Sequence, residues 1–257
     1  LLRLTVSGVD VRPGAAVIEA RGDDFLQEIV SARLDRLGRV IPGSEKRIRT
    51  GCLAVGYGFA ANVELPSAAG CRLAFDPESR VWSVEVDDHM RTSIPGIYAA
   101  GEITSVAGSR KSFIEGRIAG LAVAGDTGFA HRKHERLLAG LMRERDREKK
   151  FGRLLGGICG PPAGLWGELS GDTIVCRCEK VTVGEIRTSL ANGARTPSGI
   201  KRATRCGMGM CQGRSCGPII DDVLAAKGFD PAFPFPSRTP VKPVRVSSFL
   251  GFHSSQP

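Results

Sequence analysis

Two pairs of cysteines carry the densest chemistry in this chain: Cys176-x-Cys178 in "VCRCEK" and Cys211-x4-Cys216 in "TRCGMGMCQGRSC". A fifth thiol, Cys206, sits five residues before Cys211, and these five of the chain's eight cysteines fall within residues 176 to 216. Thiolates crowded in this way bind soft metals or exchange electrons. Gly207, Gly209 and Gly213 let the second loop bend and bring its backbone near the sulfurs. Each pair precedes a predicted helix, and N–H groups of helix starts and glycine turns favour negative charge. Arg177, Arg205 and Arg214 add positive charge beside the loops. A four-thiolate centre of two irons and two sulfides is anionic and becomes more negative on reduction, so it draws on such donors. A structural zinc also takes four cysteines, but zinc knuckles use two CxxC-like turns, and neither pair here has that spacing. Two disulfides, or thiols without any ligand role, complete the alternatives. Cys206 either substitutes for a ligand or is a buried neighbour. Cys52, Cys71 and Cys159 stand alone and are expected as small buried hydrophobes.

A second stretch, "TSIPGIYAAGEITSVAGSRKSFIEGRIAG", has a different chemistry. An apolar run, read as a buried strand, delivers Gly101 and Glu102. From about residue 107 to 125 the pattern turns helical, with Phe113, Ile114, Arg117, Ile118, Leu121 and Ala122 at three-and-four spacing. Strand, glycine and helix form the unit that opens a ligand crevice at the carboxyl end of a parallel sheet. The Glu102 carboxylate can accept hydrogen bonds from sugar-alcohol hydroxyls. Small residues from Ser105 to Gly108 let a helix N-terminus approach a ring system, where its dipole stabilises negative charge. None of His89, His131, His134 and His253 has a triad-like setting; all four are expected on the surface, and no catalytic acid or base is assigned.

The elements that position these residues are legible in outline. Residues 1 to about 50 read as short strands and turns, with "LTVSGVDV" and "EIVSARLD" alternating. "CLAVGYGFA" and "VWSVEVDD" read as further strands. Residues 130 to 156 read as a charged helix with Leu137, Leu138 and Leu141 on one side. Glycine and proline in "GGICGPPAGLWGELSGD" mark a boundary near residue 160. Thr182 and Glu185 form a capping box for a helix over 182 to 192. Pro197 begins a second helix, and Pro218 a third that ends at Gly228. The tail from Phe229 is proline-rich and expected to be extended.

Composition narrows the function classes. The chain has 257 residues, 42% hydrophobic and 25% charged, in the globular range. No apolar run reaches the length of a membrane span. The net charge is +9, but much of the excess lies in the mixed-sign block "HRKHERLLAGLMRERDREKK". That block reads as a solvated helix face without the interleaved aromatics of a nucleic-acid platform, so no nucleic-acid partner is expected. No secretory leader is seen, and clustered thiols point to the cytoplasm, with peripheral membrane association still compatible. The opening "LLRLTVSGVD" has no Met and reads as the middle of a longer protein.

The segment "CRCEKVTVGEI … IKRATRCGMGMCQGRSC" resembles the [2Fe-2S] domain of the bacterioferritin-associated-ferredoxin (BFD) type. The closer resemblance is to the form appended to flavoprotein subunits of opine oxidases, hydrogen cyanide synthase and dye-linked proline or hydroxyproline dehydrogenases. The family's ligand pattern falls on Cys176, Cys178, Cys211 and Cys216. Its position at Cys206 usually holds a small residue, which leaves Cys206 outside the implied ligand set. "GIYAAGE" resembles the second FAD fingerprint of the pyridine-nucleotide-disulfide-oxidoreductase superfamily. Its acid, which contacts the ribityl chain, maps to Glu102, where the family usually has Asp. "CLAVGYGFAANVEL" is similar to the segment where that superfamily's nucleotide-binding insert rejoins the FAD domain. The first fingerprint, G-x-G-x-x-G after a strand, is not present, and Gly56-Tyr57-Gly58-Phe59 does not supply it.

The resemblance implies an α/β fold. Residues 1–128 are the carboxyl part of a Rossmann-like FAD/NAD(P)-binding domain, 129–172 a helical linker, 173–228 a small, mostly helical BFD-like domain, and 229–257 a tail. It implies FAD, near Gly101, Glu102, Ser105 and Gly108, and a [2Fe-2S] cluster as cofactors. The expected function is that of an oxidoreductase subunit for CH–NH donors, relaying electrons between FAD and the cluster. The implied partners are a flavoprotein dehydrogenase or oxidase subunit that oxidises an amino acid or opine, and a small ferredoxin-like subunit. Two rivals stand beside it: an NAD(P)H-dependent flavoprotein reductase, and a zinc docking module built on four cysteines.

Overall fold

The computed structural model describes residues 8–56, 58–76, 81–130, 132–159, 164–165, 169–229, 239–241 and 244–250. The chain divides into two compact units, residues 1–57 with 161–169, and residues 58–160 with 170–257.

The first unit is built on an antiparallel three-stranded sheet, β1 (Ala15–Arg21), β2 (Glu28–Arg33) and β3 (Lys46–Arg49), in that order. The central strand β2 pairs Ile29 with Ala20 and with Ile48, and its Ile29, Val30 and Ala32 are buried. A central strand satisfies its backbone on both edges, and burial of consecutive residues means that both of its faces are covered there. Gly164 packs so tightly that a Cβ there would lie 2.2 Å from the Leu37 carbonyl oxygen.

The second unit holds both stretches singled out above. Its first part has a short helix α1 (Glu64–Ala68), an antiparallel ribbon of β4 (Leu73–Asp76) and β5 (Val81–Val84), and two long helices, α2 (Ser109–Asp126) and α3 (His134–Cys159). Arg110, at the start of α2, pairs with Glu144 and Glu148 of α3, while a Cβ at Gly125 near its end would lie 3.2 Å from His134 Nε2. The two helices therefore run antiparallel. Ile114, Ile118, Leu138 and Leu141 interlock with Met90 along the seam. Full burial of each such side chain contributes about 1.5–3 kcal/mol. A neighbouring cluster of Cys71, Val84 and Ala99 is closed by Ile94, Ile97 and Ile103.

The second part is a hairpin, β6 (Ile174–Cys176) with β7 (Val181–Thr182), followed by α4 (Val183–Ala191), α5 (Pro197–Thr204) and α6 (Gly217–Ala225). Val175, Val181, Ile186, Ile200, Ile220 and Leu224 are its buried apolar residues. A last turn, α7, spans Ser247–Leu250.

Several expectations are corrected. Among the described residues there is no parallel sheet: the pairings are all antiparallel. "CLAVGYGFA" is not a strand in its described residues, and "IPGIYAAGE" makes only the single bridge Arg91–Tyr98. An apolar run becomes a strand only when a neighbour completes its hydrogen bonds. Here Ile94, Ile97 and Ala99 go into the core from an irregular segment. "LTVSGVDV" lies partly outside the described residues, and its residues 8–11 are turn and coil. "VWSVEVDD" is a strand only to Val84. Cys52 is exposed, not buried, whereas Cys71 is buried; the side chain of Cys159 lies outside the described residues. His134 is buried rather than on the surface, because it opens α3 directly against α2. His131 and His253 lie outside the described residues. Phe113 and Leu137 remain exposed, while Ile114 and Leu138 face the seam. No described helix is long and apolar enough to cross a membrane.

Candidate functional site

Strand β6 ends on Cys176, and the tight turn that follows carries Cys178 before Lys180, at φ 56°, reverses the chain into β7. Thr182 then caps α4: its hydroxyl accepts from the Glu185 N–H at 3.3 Å, and Glu185 accepts from the Thr182 N–H at 2.8 Å. That reciprocal cap anchors the hairpin end. On the other side, α5 starts at Pro197 and stops at Arg205, whose φ of 66° turns the chain out of the helix. Cys206 follows at once. Gly207 and Gly213 at φ 82° and 86° then fold the loop back, so that Cys216 forms the N-cap of α6.

The two loops meet. Cys176, Cys178, Cys211 and Cys216 line one cleft of about 290 Å³, together with Arg177 and Ser215. Cys176 and Cys216 form its deep wall, buried to 2% and 1% exposure, while Cys178 is exposed and Cys211 intermediate. Gly209 permits the meeting: a Cβ there would lie 2.1 Å from the Cβ of Cys178. Cys206 is fully buried, and its Sγ lies within 4.8 Å of those of Cys176 and Cys216, although it does not line the cleft.

The thiols differ electrostatically. Burial pushes Cys211 up, but N–H donation from Ser215 and Gly213, with the side chains of Cys178 and Ser215, outweighs it and holds the thiol below its ordinary range. Cys216 is pushed well above its ordinary value by the adjacent Cys206 and then by burial. Of the three arginines expected to support the loops, Arg205 is paired with Glu179 at 2.9 Å and Arg214 with Glu64 of α1, leaving Arg177 on the cleft wall. Four thiols from two loops, with backbone donors beside them, fit a four-thiolate iron–sulfur centre.

The Gly101–Gly108 turn is held from beneath by a pair of charges that sequence reasoning passed over. Lys111 and Glu115 form an ion pair at 3.0 Å, both at 0% side-chain exposure. The Lys111 Nζ donates to the Gly101 carbonyl at 2.8 Å, to Thr104 Oγ1 at 2.6 Å and to the Ser105 carbonyl at 2.8 Å. Glu115 Oε2 accepts from the Gly101 N–H at 2.9 Å and from Thr104 Oγ1 at 2.6 Å. Burial lowers the Lys111 pKa, and Glu115 opposes that shift. The available signal was the i, i+4 spacing of opposite charges.

Above this clamp, Gly101 takes φ 93°, and a Cβ there would lie 3.4 Å from Ser112. Glu102 is exposed; its Oε1 accepts from the Gly108 N–H at 2.8 Å and from Ser112 Oγ at 3.3 Å. Helix α2 has no side-chain cap, unlike α4 and α5. The buried Ser105 Oγ has no hydrogen-bond partner. An uncapped helix start, an exposed carboxylate and an unused hydroxyl fit the polyhydroxyl chain and ring of a flavin.

Comparison with known proteins agrees with both parts. Residues 2–128 match the family model of pyridine nucleotide-disulphide oxidoreductases, and residues 174–226 match that of the BFD-like [2Fe-2S] binding domain. An opine oxidase subunit of Rhizobium meliloti is 32% identical over 226 residues, covering 84% of this chain and 42% of that protein. The hydrogen cyanide synthase subunit HcnB of Pseudomonas aeruginosa is 31% identical over 262 residues, covering 96% of this chain and 53% of that protein. The chain thus spans about half the length of these relatives. The crystal structure of L-proline dehydrogenase from P. horikoshii shares the fold, with a TM-score of 0.69 at 19% identity, over 96% of this chain and 46% of that one. The chain thus carries a pyridine nucleotide-disulphide oxidoreductase segment over residues 2–128 and, behind it, a BFD-like [2Fe-2S] binding domain over residues 174–226.

Proposed function

We propose that this chain is the electron-transfer portion of one subunit of a multi-subunit amino-acid or opine dehydrogenase or oxidase, passing electrons between FAD and a [2Fe-2S] cluster. The observation that carries the reading is the convergence of four thiols on one cleft in the same compact unit as the Gly101–Gly108 turn. When bound, a flavin can take up two electrons together and release them one at a time, and a [2Fe-2S] centre carries them singly, so the pair would link two-electron oxidation to one-electron transfer.

The chain's own residues supply the holding and the field. Cys176, Cys178, Cys211 and Cys216 are the proposed ligands. The N–H groups of Gly213 and Ser215, which already lower the Cys211 pKa, offset negative charge on the outer sulfurs. Glu102 is the proposed acceptor from ribityl hydroxyls. The uncapped start of α2 at Gly108, with Ser105, favours negative charge on the ring. Gly101 lets the backbone turn closely there. No residue here is assigned as a proton acceptor from substrate; substrate oxidation is assigned to a partner flavoprotein subunit, with a small ferredoxin-like subunit as a further partner. The names of the relatives, subunits of opine oxidase and hydrogen cyanide synthase, support a CH–NH donor. Clustered free thiols suit a reducing compartment, which supports a cytoplasmic location.

Anaerobic purification followed by iron, labile sulfide and zinc analysis tests the relay. Iron and sulfide near two per chain, with flavin and iron–sulfur absorption bands, are expected; a colourless protein with about one zinc would replace the relay with a docking module. Stopped-flow mixing with NADH separates the other rival, since rapid flavin bleaching would identify an NAD(P)H-dependent reductase. In the presence of the partner subunit, an amino acid or opine should reduce the iron–sulfur bands.

A further inference from the structure

The fifth thiol of the module has a place in the geometry that the four-ligand reading leaves unused. Cys206 is at 0% exposure and lies off the cleft wall, yet its Sγ is within 4.8 Å of the two sulfurs, Cys176 and Cys216, that form the deep wall. It therefore stands behind the deep pair, on the protein side. Its position is set on three sides. The left-handed Arg205 directs the chain inward at the end of α5. The Cys206 N–H donates to Thr204 Oγ1 at 3.2 Å, and that hydroxyl is itself bound to the Ile200 carbonyl at 2.8 Å. Arg205 reaches across to Glu179 at 2.9 Å, next to Cys178, and so ties the Cys206 segment to the hairpin that carries the other pair.

We propose that Cys206 is a non-ligand thiol that donates its one hydrogen bond from behind to a sulfur of the deep pair, Cys176 or Cys216, and raises the potential at which the centre in the cleft takes up an electron. This rests on the reading that the cleft holds a [2Fe-2S] cluster. Four thiols on the cleft wall already complete the set that two irons require, so the fifth has no coordination position left to fill. A thiol is a weak donor, and coordinated sulfurs are acceptors whose negative charge grows on reduction. A donor fixed against them favours the reduced form more than the oxidised one, which moves the potential upward. Full burial strengthens the effect, since no water competes for the contact.

The test is an EPR-monitored redox titration of the anaerobically purified full chain and its Cys206→Ala and Cys206→Ser variants. Both variants should retain two irons and two sulfides per chain. The alanine variant should titrate at a more negative potential, and the serine variant, which keeps a donor, should return towards the unsubstituted protein. If the alanine variant does not accumulate, Cys206→Val fills the space without a donor and should show the same negative shift. Loss of the cluster in either donor-free variant would make Cys206 a ligand, and an unchanged potential would mean it donates nothing; both outcomes overturn the proposal. Absence of iron from the unsubstituted chain would instead overturn the functional reading beneath it.

Discussion

Gly209 shows how little space separates the two thiol loops. A single added methyl would sit 2.1 Å from the Cys178 Cβ, an atom fixed to the backbone of the facing loop. Gly209→Ala should therefore push the loop off the hairpin and lower iron content sharply. Gly116→Ala, in α2 with open space around it, serves as the control and should stabilise by about 0.5–1 kcal/mol. Iron per chain and a urea melt read both. Cys211→Ser removes one proposed ligand outright, and the visible iron–sulfur bands should disappear. The Lys111–Glu115 pair predicts a different signature. Lys111→Met leaves the Glu115 carboxylate buried without its counter-charge, a loss of about 3–5 kcal/mol. Adding Glu115→Gln should recover part of that in urea unfolding, because the lone charge is then gone. A double variant no more stable than Lys111→Met would show that the unpaired Glu115 charge is not what destabilises that variant.

Helix ends supply the next level of argument. The Thr182–Glu185 box closes α4 just after the hairpin that bears Cys176 and Cys178. Thr182→Ala should cost about 1 kcal/mol, seen as a lower urea midpoint with iron content retained. This cap was legible in the sequence, as were the proline starts of α5 and α6, because each depends on neighbours within four residues. The two cysteine pairs were legible for a similar reason, because the spacing within each pair is local to one loop; which thiols act as ligands is a proposal. Elements whose identity depends on distant neighbours were not. Residues 94–102 read as a buried strand from apolarity alone, yet they bury Ile94, Ile97 and Ala99 without a ladder. His134 lies in a run of charges and reads as solvated, but the antiparallel approach of α2 buries it. Lys111 and Glu115 are passed over in the sequence for the same reason. Their burial follows from the turn they hold, which no periodicity announces. From sequence Cys206 reads as either a ligand or a buried neighbour, and its place beside Cys176 and Cys216 required the fold.

Within the larger compact unit, the thiol module is joined to the flavoprotein-type segment by two side-chain ties. Arg214, between Cys211 and Cys216, pairs with Glu64 of α1. The Trp82 indole N–H donates to Asp221 Oδ2 of α6 at 3.1 Å, while the ring rests on Phe75 with centroids 5.2 Å apart. The first tie is partly exposed on the arginine side and is worth about 0–1 kcal/mol. The second reaches a buried carboxylate and is worth about 1.5–3 kcal/mol. The thiol module also has a core of its own Val, Ile and Leu residues. Both act on where that module sits relative to β5 and α1. Glu64→Gln combined with Trp82→Phe should therefore leave flavin and iron content unchanged and slow the transfer of electrons from reduced flavin to the iron–sulfur centre. The double substitution should slow it more than the product of the two single effects, because either tie alone still limits the movement. Stopped-flow absorbance at wavelengths where the two cofactors separate gives the rate directly. An undiminished rate in the double variant would show that docking rests on other contacts, and loss of iron would show that Arg214 or Asp221 serves the thiol cleft itself.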